Sequence, residues 1–199
     1  MKNKTNSTVK YISKIGILGA LAAVLMLFQI PVWFAPSFYE IDLSEAIVLM
    51  GGFALGPVAS VLLELIKNLI NLFLNGTMTA GVGEFANFIM GCSFVLPASI
   101  FYKYHKSFKG AIISLSLGII SLAIVSCAVN YFIMIPAYVY FMGFSIESIV
   151  AMAAKVNPLA ESFPTMILFA TLPFNLIKGL VCSFVNIILY KRVSKILHI

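Results

Sequence analysis

The heptapeptide GGFALGP, residues 51–57, interrupts an apolar run that extends from residue 43 to residue 74. The run is about 32 residues long, whereas one bilayer crossing needs about 20. Glycine and proline placed close together favour a tight turn. The stretch therefore predicts two helices, at approximately 43–55 and 56–74, in place of one long helix.

The positions of the basic residues support this division. Most of the 13 basic residues form three clusters beside apolar runs: Lys2, Lys4, Lys10 and Lys14; Lys103, Lys106 and Lys109; and Lys191, Arg192 and Lys195. The three clusters share one side of the membrane only if the run 43–74 contains two helices and the run 110–141 contains one. Basic residues favour the cytoplasmic side, so we expect all three clusters there.

Composition places the chain in the membrane. Of its 199 residues, 61% are hydrophobic and 10% are charged, and the mean hydropathy is +1.05. Soluble domains carry about 25% charged residues. The net charge is +6, and most of the basic residues that produce it lie beside the apolar runs. We therefore expect contact with the lipid bilayer and no nucleic-acid binding. The three cysteines form no C-x-x-C, so neither a metal site nor a redox pair is predicted.

These patterns predict an all-α membrane protein with six transmembrane helices in a single bundle and both termini in the cytoplasm. Residues 1–199 form a single integral membrane domain in this interpretation, and the N-terminal run is a retained helix because more spans follow it. Residues 31–42 form an outer loop or a lid over a pocket, and 142–163 lie on the same side. The predicted helices are approximately 11–30, 43–55, 56–74, 81–102, 110–141 and 164–190.

Polar residues inside the last two helices indicate a site. Asn130 lies in one of them, and Asn175 and Lys178 lie in the other. A charged group in hydrocarbon costs at least about 2.5–3.5 kcal/mol, so an interaction must offset it. The two asparagines lie about 16 Å from the outer ends of their helices. They either line a shared pocket that opens outward or hydrogen-bond neighbouring helices, and Lys178 is either a ligand contact or a structural counter-ion.

Other polar residues follow helical spacing. Glu84 and Asn87 lie one turn apart near the start of the fourth helix. Glu64 and Lys67 lie on one face of the third helix with Asn68 and Asn71. A structural pair between Glu64 and Lys67 is one interpretation, and direct ligand contact is the other.

Small residues form a stripe on the first helix, at Gly16, Gly19, Ala20 and Ala23. Small residues allow another helix to approach closely. The stripe predicts either packing within the bundle or docking to another subunit. Catalytic signatures such as G-x-x-x-x-G-K-[ST], H-E-x-x-H and G-x-S-x-G do not occur in the sequence, so we do not expect an enzyme.

Three stretches resemble the riboflavin-specific substrate-binding (S) subunits of energy-coupling-factor (ECF) transporters. They are GGFALGPVASVLLELIKNLINLFLNGTMTAGVGEFANF, VNYFIMIPAY and LPFNLIKGL, which begin at residues 51, 129 and 172. The resemblance implies a six-helix membrane fold that binds riboflavin as a transported substrate, without a cofactor, beneath the loop between helices one and two. It also implies partners, namely a transmembrane coupling subunit and two ABC-type ATPases that supply ATP hydrolysis.

The resemblance also implies roles for individual residues. Asn130, Asn175 and Lys178 match positions that contact the flavin, and Glu84 and Asn87 suit its ribityl chain. Apolar walls and a lid are expected from Phe38, Tyr39 and Met78, and docking to the coupling subunit from Gly16, Gly19, Ala20 and Ala23. An S subunit for another vitamin or for FMN, or a structural membrane protein, remains an alternative.

The charge clusters predict the topology. A reporter fused after Ile199, or inserted between Lys103 and Lys109, should report the cytoplasm, and one inserted within 142–163 should report the outside, because basic loops are retained in the cytoplasm. An external Lys103–Lys109 loop would contradict the division at residues 51–57.

Overall fold

A computed structural model describes residues 2–36, 39–77 and 79–197. Within these ranges the chain forms seven helices and one short β-hairpin. Helices α5 and α7 each continue through a π-helical turn, at Asn130–Met134 and Ile167–Thr171. The elements in chain order are α1 (Lys2–Met26), β1 (Ile30–Pro31), β2 (Glu40–Ile41), α2 (Ser44–Leu55), α3 (Pro57–Asn75), α4 (Val82–Tyr104), α5 (Phe108–Met142), α6 (Ile146–Val156) and α7 (Phe163–Leu197).

The long apolar run divides at Gly56. This residue has φ +97°, a left-handed conformation that favours glycine, and Pro57 begins α3, where its missing N–H is tolerated. Gly51 and Gly52 remain inside α2. A Cβ at Gly52 would lie 2.9 Å from Cβ of Ser60, so this glycine permits the close approach of α3.

Helix α2 lies inside the bundle. All its residues from Ser44 to Phe53 are buried, and it packs against α1, α3, α4 and α7. The Phe53 ring stacks on Tyr102 of α4 at a centroid distance of 4.2 Å. Beyond its first turn, which carries Ser44 and Glu45, the helix is apolar on all sides, as suits a helix that its neighbours enclose.

The outside of the bundle is also apolar. Ile17 of α1, Ile124 of α5 and Phe184 of α7 are each at least 65% exposed. Within the described residues, five helices are long and apolar enough to cross a membrane, and α2 is a shorter apolar helix. An apolar exterior of this extent is what a bilayer-embedded bundle requires.

Helix α6 brings the helix count to seven, where the sequence predicted six. Residues 142–163 were expected to form an outer loop, but Ile146–Val156 are helical. The side chain of Ser145 caps the helix by accepting a hydrogen bond from Ser148 N. Ile149 and Ala153, one turn apart, are buried, so one apolar face stabilises a helix too short to cross the membrane.

The segment between α1 and α2 folds back on itself. Strands β1 and β2 pair antiparallel, with Ile30 opposite Ile41. The intervening loop returns toward the bundle, where Ala35 and Tyr39 pack with Phe174 of α7. The hairpin therefore lies against the helices and carries Tyr39 and Asp42 to the site described next.

Candidate functional site

A polar cavity of about 170 Å³ lies beneath the hairpin. It adjoins a second cavity of about 510 Å³, and the two share Gln29, Gly83, Met134 and Tyr138 as lining residues. We call them the polar cavity and the adjoining cavity. Five of the predicted site residues line the polar cavity: Tyr39, Asn87, Asn130, Asn175 and Lys178. Glu84 lines the adjoining cavity.

Asn130 is 5% exposed, and its amide makes three contacts within the chain. Its Nδ2 donates to the Ser126 carbonyl at 2.9 Å and to the Met90 sulfur at 3.8 Å, and its Oδ1 accepts from the Tyr39 hydroxyl at 3.2 Å. A carboxamide has two N–H donors and two acceptor lone pairs, and a thioether sulfur is a weak acceptor. One lone pair therefore remains for a molecule in the cavity, and the N–H beside Met90 is held only by a weak acceptor.

Asn175 follows the same pattern on α7. Its Nδ2 donates to the Thr171 carbonyl, one turn earlier, at 2.9 Å. Among the described residues, its Oδ1 accepts no hydrogen bond, although the side chain lines the cavity and is only 4% exposed. The helix carbonyl thus fixes the amide orientation and leaves the oxygen and one N–H for a ligand.

Lys178 has a partner that the sequence did not predict. Its Nζ lies 2.9 Å from Oδ2 of Asp42, which follows strand β2. Burial alone would raise the pKa of Asp42, but the ammonium groups of Lys178 and Lys67 hold that pKa well below its usual range. Ser44 also donates to Asp42 through its backbone N–H and its hydroxyl. Lys178 is therefore the counter-ion of Asp42, which is one of the two interpretations that the sequence left open.

Tyr39 connects the hairpin to α5 and α7, the helices that carry Asn130 and Asn175. Its hydroxyl lies 2.6 Å from Oγ1 of Thr171 and hydrogen-bonds Asn130, and its ring packs on Phe174 at a centroid distance of 4.8 Å. Burial raises the pKa of Tyr39 above its usual range, so the hydroxyl stays neutral and can donate. This residue holds the loop over the cavity.

The π-helical turns of α5 and α7 lie at the cavity and precede prolines. Pro136 and Pro173 each lack the N–H that an α-helix would use. On α7, Pro173 has no N–H to donate to the Phe169 carbonyl four residues earlier. This carbonyl instead accepts from Nδ2 of Asn157 at 2.8 Å. Single π turns of this kind occur frequently at functional sites.

The remaining predicted residues divide between the two cavities. Asn87 donates to Oδ1 of Asn68 at 3.1 Å beside the polar cavity, and Glu84 accepts from Thr77 at 2.9 Å beside the adjoining cavity. Phe38 and Met78 lie outside the described residues.

A buried charge cluster lies beneath the polar cavity. Lys67 contacts Glu64 at 2.7 Å, as the i, i+3 spacing indicated, and also Glu45 of α2 at 2.6 Å. The side chains of Lys67 and Glu64 are both fully buried. Glu45 lines the cavity, whereas Glu64 and Lys67 support it from below. The contact with Glu45 joins distant parts of the sequence, so helical spacing could not reveal it.

The small-residue stripe of α1 divides into two faces. Gly19 and Ala23 are buried, and a Cβ at Gly19 would lie 2.6 Å from Ile66 of α3. Gly16 and Ala20 are exposed, and a Cβ at Gly16 would have no neighbour within 4 Å. Gly19 and Ala23 therefore pack within the bundle, and of the four residues only Gly16 and Ala20 are exposed for contact with a partner.

An apolar helical bundle that encloses a polar cavity is the architecture of a membrane protein that binds a small molecule. Residues 10–190 match the family model for the ECF transporter substrate-specific component, and the chain belongs to this family. The resemblance noted in the sequence is thereby confirmed at the family level. The protein is a multi-pass component of a bacterial plasma-membrane transporter and not an enzyme.

Individual relatives cover nearly the whole chain. The riboflavin transporter RibU of Staphylococcus aureus (strain TCH60) is 35% identical over 188 residues, which are 94% of this chain and 92% of the relative. The riboflavin transporter FmnP of Bacillus subtilis (strain 168) is 32% identical over 187 residues, covering 94% and 93%. A solved structure of the S component of a bacterial ECF transporter has a TM-score of 0.74 at 34% identity, covering 96% of this chain and 98% of that one.

The Asp42–Lys178 contact can be tested with a double-mutant cycle. Lys178→Met should lower the free energy of unfolding by about 3–5 kcal/mol, because it leaves a buried carboxylate unpaired. Asp42→Asn combined with Lys178→Met should recover most of this loss. Denaturation in detergent micelles measures the free energy of unfolding of the wild type, of both single variants and of the double variant. Glu40→Gln is the control at a nearby carboxyl group. Additive effects of the two substitutions would contradict the pairing.

Proposed function

We propose that this chain is the riboflavin-binding subunit of an ECF importer. The observation that carries the proposal is the convergence of Asn130, Asn175 and Lys178 on one enclosed polar cavity. The relatives named as riboflavin transporters support the choice of substrate. The same subunit would release the vitamin toward the cytoplasm when it works with an energy-coupling module.

The free hydrogen-bonding groups of the cavity suit an isoalloxazine ring. The pyrimidine edge of this ring offers an N–H flanked by two carbonyl groups. Asn175 keeps one N–H and its carbonyl oxygen after its contact within the chain. Asn130 keeps one acceptor lone pair, and its second N–H is held only by the weakly accepting sulfur of Met90. Lys178 has two further N–H donors beside the one that it gives to Asp42. Ring carbonyls or a ring nitrogen would accept from these donors.

The adjoining cavity suits the ribityl chain. Glu84 and Asn87 lie one turn apart on α4, and each lines one of the two cavities. A flexible polyol needs several hydrogen-bonding partners along its length, and these two residues would provide them. In this arrangement the ring occupies the polar cavity and the hydroxyl groups extend toward Glu84.

Residues 31–42 would act as a lid. The contacts of Tyr39 with Asn130, Thr171 and Phe174 support this role, because they hold the loop across the cavity. Phe38 and Met78 would complete the apolar wall. Opening of the lid would require the Tyr39 hydroxyl to leave Asn130, which would free one more lone pair for the incoming ring.

The proposed topology has six crossings, with α6 lying at the outer face. Helices α1 to α5 and α7 would cross in turn, so that both termini lie in the cytoplasm and residues 1–199 form one integral membrane domain. The cytoplasmic clustering of basic residues supports this arrangement. A transmembrane coupling subunit and two ABC-type ATPases would be the partners and would hydrolyse ATP.

Riboflavin binding can be measured by titrating flavin fluorescence with purified protein. Asn175→Ala should weaken binding roughly 5- to 150-fold, since a lost hydrogen bond to a buried group costs about 1–3 kcal/mol. Asp42→Asn combined with Lys178→Met should weaken it further than Asp42→Asn alone, which separates the lysine contact from an unpaired carboxylate.

The matched control is Asn186→Ala, an amide deletion about three turns further along the same helix and outside both cavities. This variant should bind riboflavin as the wild type does. Equal affinities for all variants would limit the polar residues to helix packing. Tighter binding of FMN or another vitamin than of riboflavin would assign a different substrate.

We also propose that the exposed part of the α1 stripe, Gly16 and Ala20, docks to the coupling subunit. Ala20→Leu should leave riboflavin affinity of the isolated protein unchanged and reduce uptake by cells at least tenfold, because a large side chain prevents close helix approach. Ala128→Leu is the matched control, since Ala128 is an exposed alanine on α5. Loss of binding together with uptake would show that Ala20 is needed for packing within the chain.

A further inference from the structure

The charge cluster beneath the polar cavity contains more acids than bases. Its members are Asp42, Glu45 and Glu64 on one side and Lys67 and Lys178 on the other, joined by three contacts of 2.6–2.9 Å. The side chains of Glu45, Glu64 and Lys67 are at most 4% exposed. With every group ionised, this buried cluster would carry one uncompensated negative charge.

Within residues 2–36, 39–77 and 79–197, the surroundings of the cluster provide no further positive charge. The other titratable groups of these ranges that face it are the thiols of Cys92 on α4 and Cys182 on α7. A thiol can only be neutral or negative. An isolated ionised carboxylate is very unfavourable in such an environment, and the usual outcome is that the group takes up a proton.

The hydrogen bonds of the two glutamates indicate where that proton lies. Lys67 donates to one oxygen of Glu45 and to one of Glu64. The remaining oxygens, Oε2 of Glu45 and Oε1 of Glu64, are buried without a hydrogen-bond partner among the described residues. Both glutamates nevertheless share one cation, because Lys67 Nζ lies 2.6 Å from Oε1 of Glu45 and 2.7 Å from Oε2 of Glu64. Two buried carboxylates at one site repel each other, so the arrangement is favourable only if one of them is a carboxylic acid.

The packing of α4 keeps this pair enclosed. A Cβ at Gly91 would lie 2.6 Å from Cδ of Glu64, so the α4 backbone covers the carboxyl group directly. Gly91 and Glu45 both line the polar cavity. Glu45 is therefore part of the cavity wall, and Glu64 lies immediately behind that wall.

We propose that Glu45 and Glu64 form a proton-binding site that holds one resident proton at neutral pH. One of the two carboxyl groups carries the proton, and Lys67 contacts both. The cluster is then neutral, so the floor of the cavity presents no net charge to an uncharged ligand. This inference does not depend on the identity of the substrate.

Infrared spectroscopy of the purified protein tests for the proton directly. At neutral pH the wild type should show the C=O band of a buried protonated carboxyl. Either Glu64→Gln or Glu45→Gln should remove it, because each substitution balances the remaining charges without a proton. Glu147→Gln, the same change at an exposed carboxyl on α6, should retain the band. Absence of the band in the wild type overturns the proposal even if one variant does not fold.

The pH dependence of unfolding provides a second test. The native chain would hold one proton that an unfolded glutamate, with a pKa of about 4.3, releases. Stability therefore falls as pH rises, and the unfolding constant of the wild type should increase about tenfold per pH unit relative to that of Glu64→Gln. Between about pH 5.5 and 7.5 the ratio of the two unfolding constants should change about 100-fold. The unfolding constant of Glu147→Gln should instead vary with pH in parallel with that of the wild type. Parallel curves for the wild type and Glu64→Gln would exclude a resident proton.

Discussion

Two buried lysines must each contact a carboxylate, and the rest of the structure depends on this constraint. Lys67 of α3 lies between Glu45 of α2 and Glu64 of its own helix, and Lys178 of α7 contacts Asp42 at the end of the hairpin. Removing either partner from such a contact leaves a buried charge, which is strongly unfavourable. Helix α2 is therefore held between α3 and α7, with its acidic start directed to both lysines.

The cavity results from the same arrangement. The hairpin must deliver Asp42 to Lys178, and this path brings Tyr39 over the space between α5 and α7. Both asparagines that face this space are oriented by carbonyls one turn earlier in their own helices. Their orientation is thus set before a ligand arrives, which reduces the entropy lost on binding. The π turn of α5 begins at Asn130, and the π turn of α7 ends at Thr171, one helical turn before Asn175.

Much of this could be predicted from the sequence because it depends on local spacing. Helix positions follow from apolar runs, the turn at Gly56 from glycine and proline, and the Glu64–Lys67 contact from i, i+3 geometry. The polar residues of α5 and α7 stand out because hydrocarbon penalises them. The partners Glu45 and Asp42 could not be identified in this way, since tertiary packing alone determines which distant acid reaches a buried ammonium group. The same reason explains why half of the α1 stripe faces α3.

The enclosure of α2 has a consequence for the length that this helix needs. It has 12 residues, about 18 Å of length, whereas the hydrocarbon core is about 30 Å thick. Helices α1, α3, α4 and α7 pack around α2, so protein surrounds it where the outer helices face lipid. A crossing inside the bundle can therefore be shorter than the bilayer is thick. Hydrocarbon thickness constrains the outer helices of this protein and leaves the length of α2 to the packing of its neighbours.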